Sequence, residues 1–204
     1  MKTDALSKAL YPYGLQKLGD CPGGAETITL IGPDEPRFWP IFCDSPEYRD
    51  GAPHPLDRWS LRVLTGVAET LGGSPVFPFG GPPFEPFFTW AKQSGRVWAS
   101  PMSFLVHEQA GLFVSCRGAI RWQAPPEVGT EPQPCLTCAG QPCASACPVD
   151  AFDGGYDVAA CKAHVNSDAG LDCRSAGCLA RRACPVGQGN RLPAQAAFHM
   201  EAFL

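Results

Sequence analysis

Long apolar runs are missing from this chain. No stretch reaches the roughly 18 apolar residues of a membrane-crossing helix, so no membrane span is expected. The opening residues MKTDALSKALYPYG lack the apolar core of a secretion signal, which makes the cytoplasm the expected compartment. Charge is scarce as well: Asp, Glu, Lys and Arg make up 18% of the residues, and Arg181-Arg182 is the only adjacent basic pair. With a net charge of −4 and a pI near 5.5, the chain does not have the balance of a general nucleic-acid binder. GGSP and GGPP lack the G-x-G-x-x-G pattern and its strand-turn-helix setting, which argues against direct pyridine-nucleotide binding.

Apolar residues make up 45% of the 204 positions, enough for a proper core. Glycine and proline number 22 each, so the chain turns often and leaves little room for long helices. An α+β fold is expected, with residues 1–122 as an antiparallel sheet with helices. ETITLI (26–31) reads as a strand, and RFWPIFCD (37–44) as an extended edge because of Pro40. In DRWSLRVLTGVAETL (57–71) apolar residues recur at helical spacing, with Asp57 as candidate N-cap and Gly72-Gly73 as the stop. Residues 76–95 read as an aromatic, Gly/Pro-rich loop entering a helix near 85–93. SFLVH and GLFVSCRGAIRW read as a β-hairpin about the turn EQAG. QAPPEVGTEPQP (123–134) has the composition of a linker. A cysteine-rich domain (135–190) and a C-terminal helix (191–204) follow.

Cysteine is what the chain has in excess. Of eleven, Cys21, Cys43 and Cys116 are isolated and read as buried apolar thiols. The other eight fall in two runs, each ending in Cys-Pro-Val. The first is Cys135-x2-Cys138-x4-Cys143-x3-Cys147-Pro148; the second is Cys161-x11-Cys173-x4-Cys178-x5-Cys184-Pro185. A disulfide scaffold would staple the whole of a short secreted chain rather than one segment. Zinc sites favour paired C-x2-C half-sites, and only one such pair is present. Two-cluster ferredoxins repeat C-x2-C-x2-C-x3-C-P, and the fourth cysteine of each run ligates the other cluster. By that crossing rule Cys135, Cys138, Cys143 and Cys184 would hold one 4Fe–4S cluster, and Cys147, Cys161, Cys173 and Cys178 the second. The x4 and x5 gaps depart from the pattern, but inserted residues can bulge outward without moving the ligands. Arg174, Arg181 and Arg182 would either offset cluster charge or form a solvated face. A zinc-binding structural module stays open as an alternative.

The eight cysteines, the lone Cys161 in AACKAHV and the PVDAF step after the first Cys-Pro resemble the C-terminal ferredoxin domain of epoxyqueuosine reductase, a cobalamin-dependent tRNA-modifying family. SPMSFLVHEQAGLFVSCRGAI is similar to a hairpin that this family shares with the cobalamin-processing decyanases. The resemblance implies a nitroreductase-like N-terminal domain, with cobalamin or FMN as its candidate ligand. Phe79, Glu85, Trp90, Ser103 and His107 then become candidate cofactor-binding residues. Glu85 matches the family's glutamate in FGGPPFE, but Phe79 stands where the family has its acid, so the proton donor is missing.

Two classes of function follow. In one, the clusters relay electrons from a redox partner protein to a corrinoid or flavin, making the chain a reductase. In the other, the chain is an electron carrier or adaptor with no catalytic site. His107, at a hairpin turn, either approaches a corrinoid or is a solvated turn residue. His164 follows Cys161 closely, but eight cysteines leave no ligand position for it to fill.

Overall fold

The computed structural model describes residues 2–204, with side chains from residue 4 onward, as a mixed α+β protein with an antiparallel sheet. The chain packs as two compact units, residues 1–97 with 115–131, and residues 98–114 with 132–204. It therefore passes between units after residues 97, 114 and 131, where the composition had suggested one crossing at a linker.

The first unit opens with α1 (Lys2–Leu10), followed by β1 (Leu15–Gly23) and β2 (Glu26–Pro33). Two short helices, α2 (Phe38–Cys43) and α3 (Pro46–Arg49), lead into the long α4 (Pro55–Leu71). Then come β3 (Ser74–Val76), α5 (Phe87–Gln93) and, after the second unit's first segment, β6 (Gly118–Trp122). The sheet order is β1-β2-β6-β3, antiparallel throughout. In α4 the apolar stripe Trp59, Val63, Leu64, Val67 and Ala68 is buried. Trp59 meets Phe38 edge-on at 5.4 Å and Phe42 at 5.8 Å. The helix stops at Gly72, whose φ of 69° and N–H bonds to the preceding turn make a left-handed cap.

Three expectations need correction here. Residues 38–43 form helix α2, not an extended edge. Pro40 falls in the first turn, where a missing N–H leaves no hydrogen bond unmade, and Phe38 and Phe42 then share one buried face. Asp57 does not cap α4; Pro55 opens that helix and His54 holds the cap position in a left-handed conformation. The third correction concerns the hairpin. The turn after His107 is real, with His107 and Gly111 exchanging backbone hydrogen bonds at 3.0 Å. Its two proposed arms do not pair with each other, however. β5 (Leu105–His107) pairs with β4 (Val97–Ala99), and β6 pairs with β2 and β3.

Residues 123–131 are not a free linker. Buried Asp20 accepts from Thr29 Oγ1 at 2.6 Å, from Lys17 Nζ at 2.8 Å and from the Glu127 backbone N–H at 3.0 Å. Trp122 Nε1 donates to Thr29 Oγ1 at 3.0 Å. A satisfied buried carboxylate thus ties the proline-rich segment to β1 and β2.

In the second unit, β4 and β5 precede a run of short helices. These are α6 (Val158–Asn166), α7 (Leu171–Ala176), α8 (Leu179–Arg182) and α9 (Pro193–Phe203), of which α9 packs on α7. Its core combines Met102, Val106 and Leu112 from the first segment with Cys143, Ala180 and Cys184 from the second. Phe104, Phe152 and Tyr156 form an aromatic trio with ring centroids 5.0–5.2 Å apart.

Candidate metal centres

The eight clustered cysteines lie in the second unit, on short helices, turns and the segments that join them. Cys135 and Cys143 sit in 3-10 turns that begin with Pro134 and Pro142. The extra residues before Cys143 are taken up by Gly140 and Gln141, both left-handed with φ of 71° and 40°. Cys147 sits at a turn, where its sulfur accepts from the Ala151 N–H at 3.4 Å. Cys161 lies on α6, whose N-terminus is capped by Asp157 Oδ1 accepting from Ala160 N at 2.9 Å. Cys173 lies on α7, Cys178 at the N-cap of α8, and Cys184 just past its end.

These positions open onto two cavities of similar size. Cys135, Cys138, Cys143 and Cys184 line one of about 20 Å³, together with Val106 and Leu112. Cys147, Cys161, Cys173 and Cys178 line another of about 20 Å³, together with Phe152 and Met200. The rest of the lining is apolar apart from Ser100 and Gln141 in the first cavity and His164 in the second. All eleven cysteines are free thiols. Among the described residues no group of three or more His, Cys, Asp or Glu side chains is arranged to hold a metal ion.

Burial pushes the Cys143 thiol up, and repulsion from Cys184, Cys135 and Cys138 adds to it. Cys135 is raised for the same reasons, and Cys178 mainly by burial. Crowded buried thiols resist losing protons on their own; a polycation among them reverses that preference, because its ligands must be thiolates. The Tyr156 phenol is also pushed up, by burial first and then by its hydrogen bond with Cys161.

One polar atom stands out in the first cavity. Ser100 lines it and is buried, and its Oγ has no hydrogen-bond partner among the described residues. An unmade bond of this kind costs about 1–3 kcal/mol, so a group with acceptor atoms in the cavity would fit the donor waiting there. The chemistry of the lining, four thiols with Ser100 and Gln141 in an otherwise apolar shell, fits a sulfur-ligated inorganic group. Gly111 supports the same wall: a Cβ there would overlap the Val186 carbonyl oxygen, so the turn after β5 seats directly on the second Cys-Pro-Val.

The five candidate cofactor residues are divided between the two units. Ser103 and His107 belong to the second unit, and Phe79, Glu85 and Trp90 to the first. Phe79 stacks on Phe77 at 5.1 Å. Glu85 accepts from Arg121 Nη2 at 2.8 Å, and the same guanidinium lies 5.2 Å over the Trp90 ring. Ser103 is exposed, with φ of 63°. His107 is not a solvated turn residue: it is 1% exposed, and its Nδ1 accepts from the backbone N–H groups of Gln109 and Ala110, each at 3.1 Å. It organises the tight turn that walls the first cavity. Outside the eight, Cys21 is buried, while Cys43 and Cys116 are half-buried; burial pushes the Cys116 thiol up to about 11. Sequence reasoning missed Ser100, Val106 and Leu112 as cavity residues, because nothing local separates them from ordinary strand and turn residues.

No family model, curated protein or solved structure matches the chain.

Proposed function

We propose that the second unit is a two-cluster ferredoxin-like module that binds two 4Fe–4S clusters and transfers electrons in the cytoplasm. The observation that carries this reading is the sorting of eight thiols into two cavities of four, each taking its fourth cysteine from the other run: Cys184 in the first and Cys147 in the second. That exchange is a property of two-cluster ferredoxins and has no counterpart in a zinc site built from C-x2-C pairs. When bound, such clusters supply one-electron transfer. The chain's own part is to offer thiolates, exclude water with Val106, Leu112, Phe152 and Met200, direct the Ala151 N–H at the Cys147 sulfur, and hold the unpaired Ser100 hydroxyl in the first cavity for a bound group. Arg181, held 4.6 Å over the Phe104 ring, places positive charge in the same unit.

The first unit separates two versions of this function. Resemblance to epoxyqueuosine reductase and the decyanases favours a nitroreductase-like holder of cobalamin or FMN, and hence a reductase. The Glu85–Arg121–Trp90 arrangement favours the carrier. These side chains are engaged with one another in a structural ion pair and ring contact, and Phe79 supplies no proton.

Anaerobic purification followed by iron, sulfide, zinc and cobalt analysis tests the reading. The expectation is about eight irons per chain and a broad visible absorption that dithionite bleaches. Stoichiometric zinc without iron would overturn it. Titration of the same sample with hydroxocobalamin and FMN separates reductase from carrier: a spectral change with either supports the reductase, and none supports the carrier.

A further inference from the structure

A third cavity of about 300 Å³ lies in the second unit, within the size range of small-molecule sites. Its walls include Arg181, Arg182, Arg191, Phe113, Gln188 and Cys184. Three arginines line it, of which Arg182 is paired with Asp172, and no carboxylate is part of the lining itself. We propose that this cavity binds a small anion bearing phosphate or carboxylate groups.

Arginines on a surface are most often simply solvated, but these three are held in place. Arg182 Nη2 donates to Asp172 Oδ2 at 2.6 Å and its Nε to the Gly177 carbonyl at 3.1 Å. Arg191 Nη2 donates to the Phe113 carbonyl at 2.7 Å, with its guanidinium 5.0 Å over the Phe113 ring. Arg181 lies over Phe104. A guanidinium already fixed by the fold loses little further freedom when it takes an anion, and its planar fork suits phosphate or carboxylate oxygens. The 187–189 loop leaves the cavity open: Gly187 and Gly189 are left-handed, with φ of 71° and 76°, and a Cβ at Gly189 would meet nothing. Cys184 lines both this cavity and the first cysteine cavity. A bound anion would therefore lie against the wall of that thiol set. The site goes beyond the electron-transfer reading and does not depend on it.

The test uses the 204-residue chain purified anaerobically, with iron measured on the sample that is titrated. Inorganic pyrophosphate probes phosphate recognition and citrate probes carboxylate recognition, both by calorimetry at low ionic strength. Saturable binding of at least one probe, at one per chain, is expected. Gln188 is exposed, so Gln188→Glu adds a carboxylate at the cavity without disturbing the core; it is expected to weaken that binding about tenfold or more. Arg191→Gln is expected to do the same, with iron content unchanged in both variants. Failure of both probes to saturate, or equal binding by Gln188→Glu, overturns the proposal and leaves the guanidinium groups as charge balance for their neighbours. Anion binding by an iron-free preparation would leave this site standing and count against the clusters alone.

Discussion

Ser100 and Cys147 are the side chains at which the electron-transfer reading can be tested atom by atom. The buried Ser100 hydroxyl has no hydrogen-bond partner among the described residues and lines the same cavity as four thiols, where a bound cluster would offer it sulfur. Hydrogen bonds to sulfur stabilise the more negative, reduced state of a cluster and so raise its potential. Ser100→Ala is expected to lower the midpoint potential of one cluster only and to leave iron content unchanged. Redox titration monitored by electron paramagnetic resonance reads this, and two unchanged midpoints would remove Ser100 from the role. Cys147 belongs by sequence to the first run but lines the cavity of Cys161, Cys173 and Cys178. Cys147→Ser is therefore expected to bring iron from about eight to about four per chain, with the surviving signal coming from the set that contains its own sequence neighbours. Loss of that set instead would contradict the exchange of fourth ligands. The eight cysteines stand out in the sequence by spacing alone. Ser100 does not, because a lone serine near a turn carries no signature until the fold buries it.

Helices α2, α3 and α4 show what is readable from pattern and what is not. The stripe on α4 follows from its 3.6-residue period, which no other fold of that segment would bury as well. Trp59 anchors it at 1% exposure between Phe38 and Phe42. Trp59→Ala is expected to destabilise the first unit by about 3–5 kcal/mol, measurable by denaturant unfolding. Pro40 in α2 misleads, since proline marks both sheet edges and first helical turns, and only the neighbouring aromatic face decides between them. Glu47 on α3 illustrates a link that spacing does not reveal. It takes a two-pronged hydrogen bond from Arg62 on α4, at 2.5 Å and 3.0 Å, and this bond is the main reason its carboxyl is held below its ordinary range. A carboxyl lowered in the folded state stabilises above its unfolded value and loses that contribution as pH falls through the folded one. Arg62 is half exposed, so screening keeps the effect small. Glu47→Gln is expected to cost about 0.5–1 kcal/mol at neutral pH, and the gap from wild type should close below roughly pH 4. A gap that is constant with pH would mean the ion pair is not its source.

At the scale of the whole molecule, the sequence hides a discontinuity. A proline-rich stretch at 123–134 invites a cut there, with everything before it in one unit and all eight clustered cysteines after it. Residues 98–114 nevertheless pack with 132–204, because Met102, Val106 and Leu112 share a core with Cys143, Ala180 and Cys184. Composition cannot signal this: an ordinary β-rich segment serves one core as readily as another, and the choice depends on pairing between distant residues, as when Thr27 of β2 meets Trp122 of β6. The consequence for the proposed clusters is specific. The first cysteine cavity is walled by Ser100, Pro101, Val106 and Leu112 from the earlier segment, whereas the lining of the second comes wholly from residues 147–200. A fragment of residues 123–204 keeps all eight thiols but lacks that wall, which would leave the first set open to water. Such a fragment is expected to hold about four irons, from the second set, while residues 98–204 hold about eight. Iron analysis of the two fragments side by side decides the matter. Eight irons in the shorter fragment would mean that residues 98–114 are dispensable to the proposed clusters and that the proline-rich stretch is the true boundary of the cysteine domain.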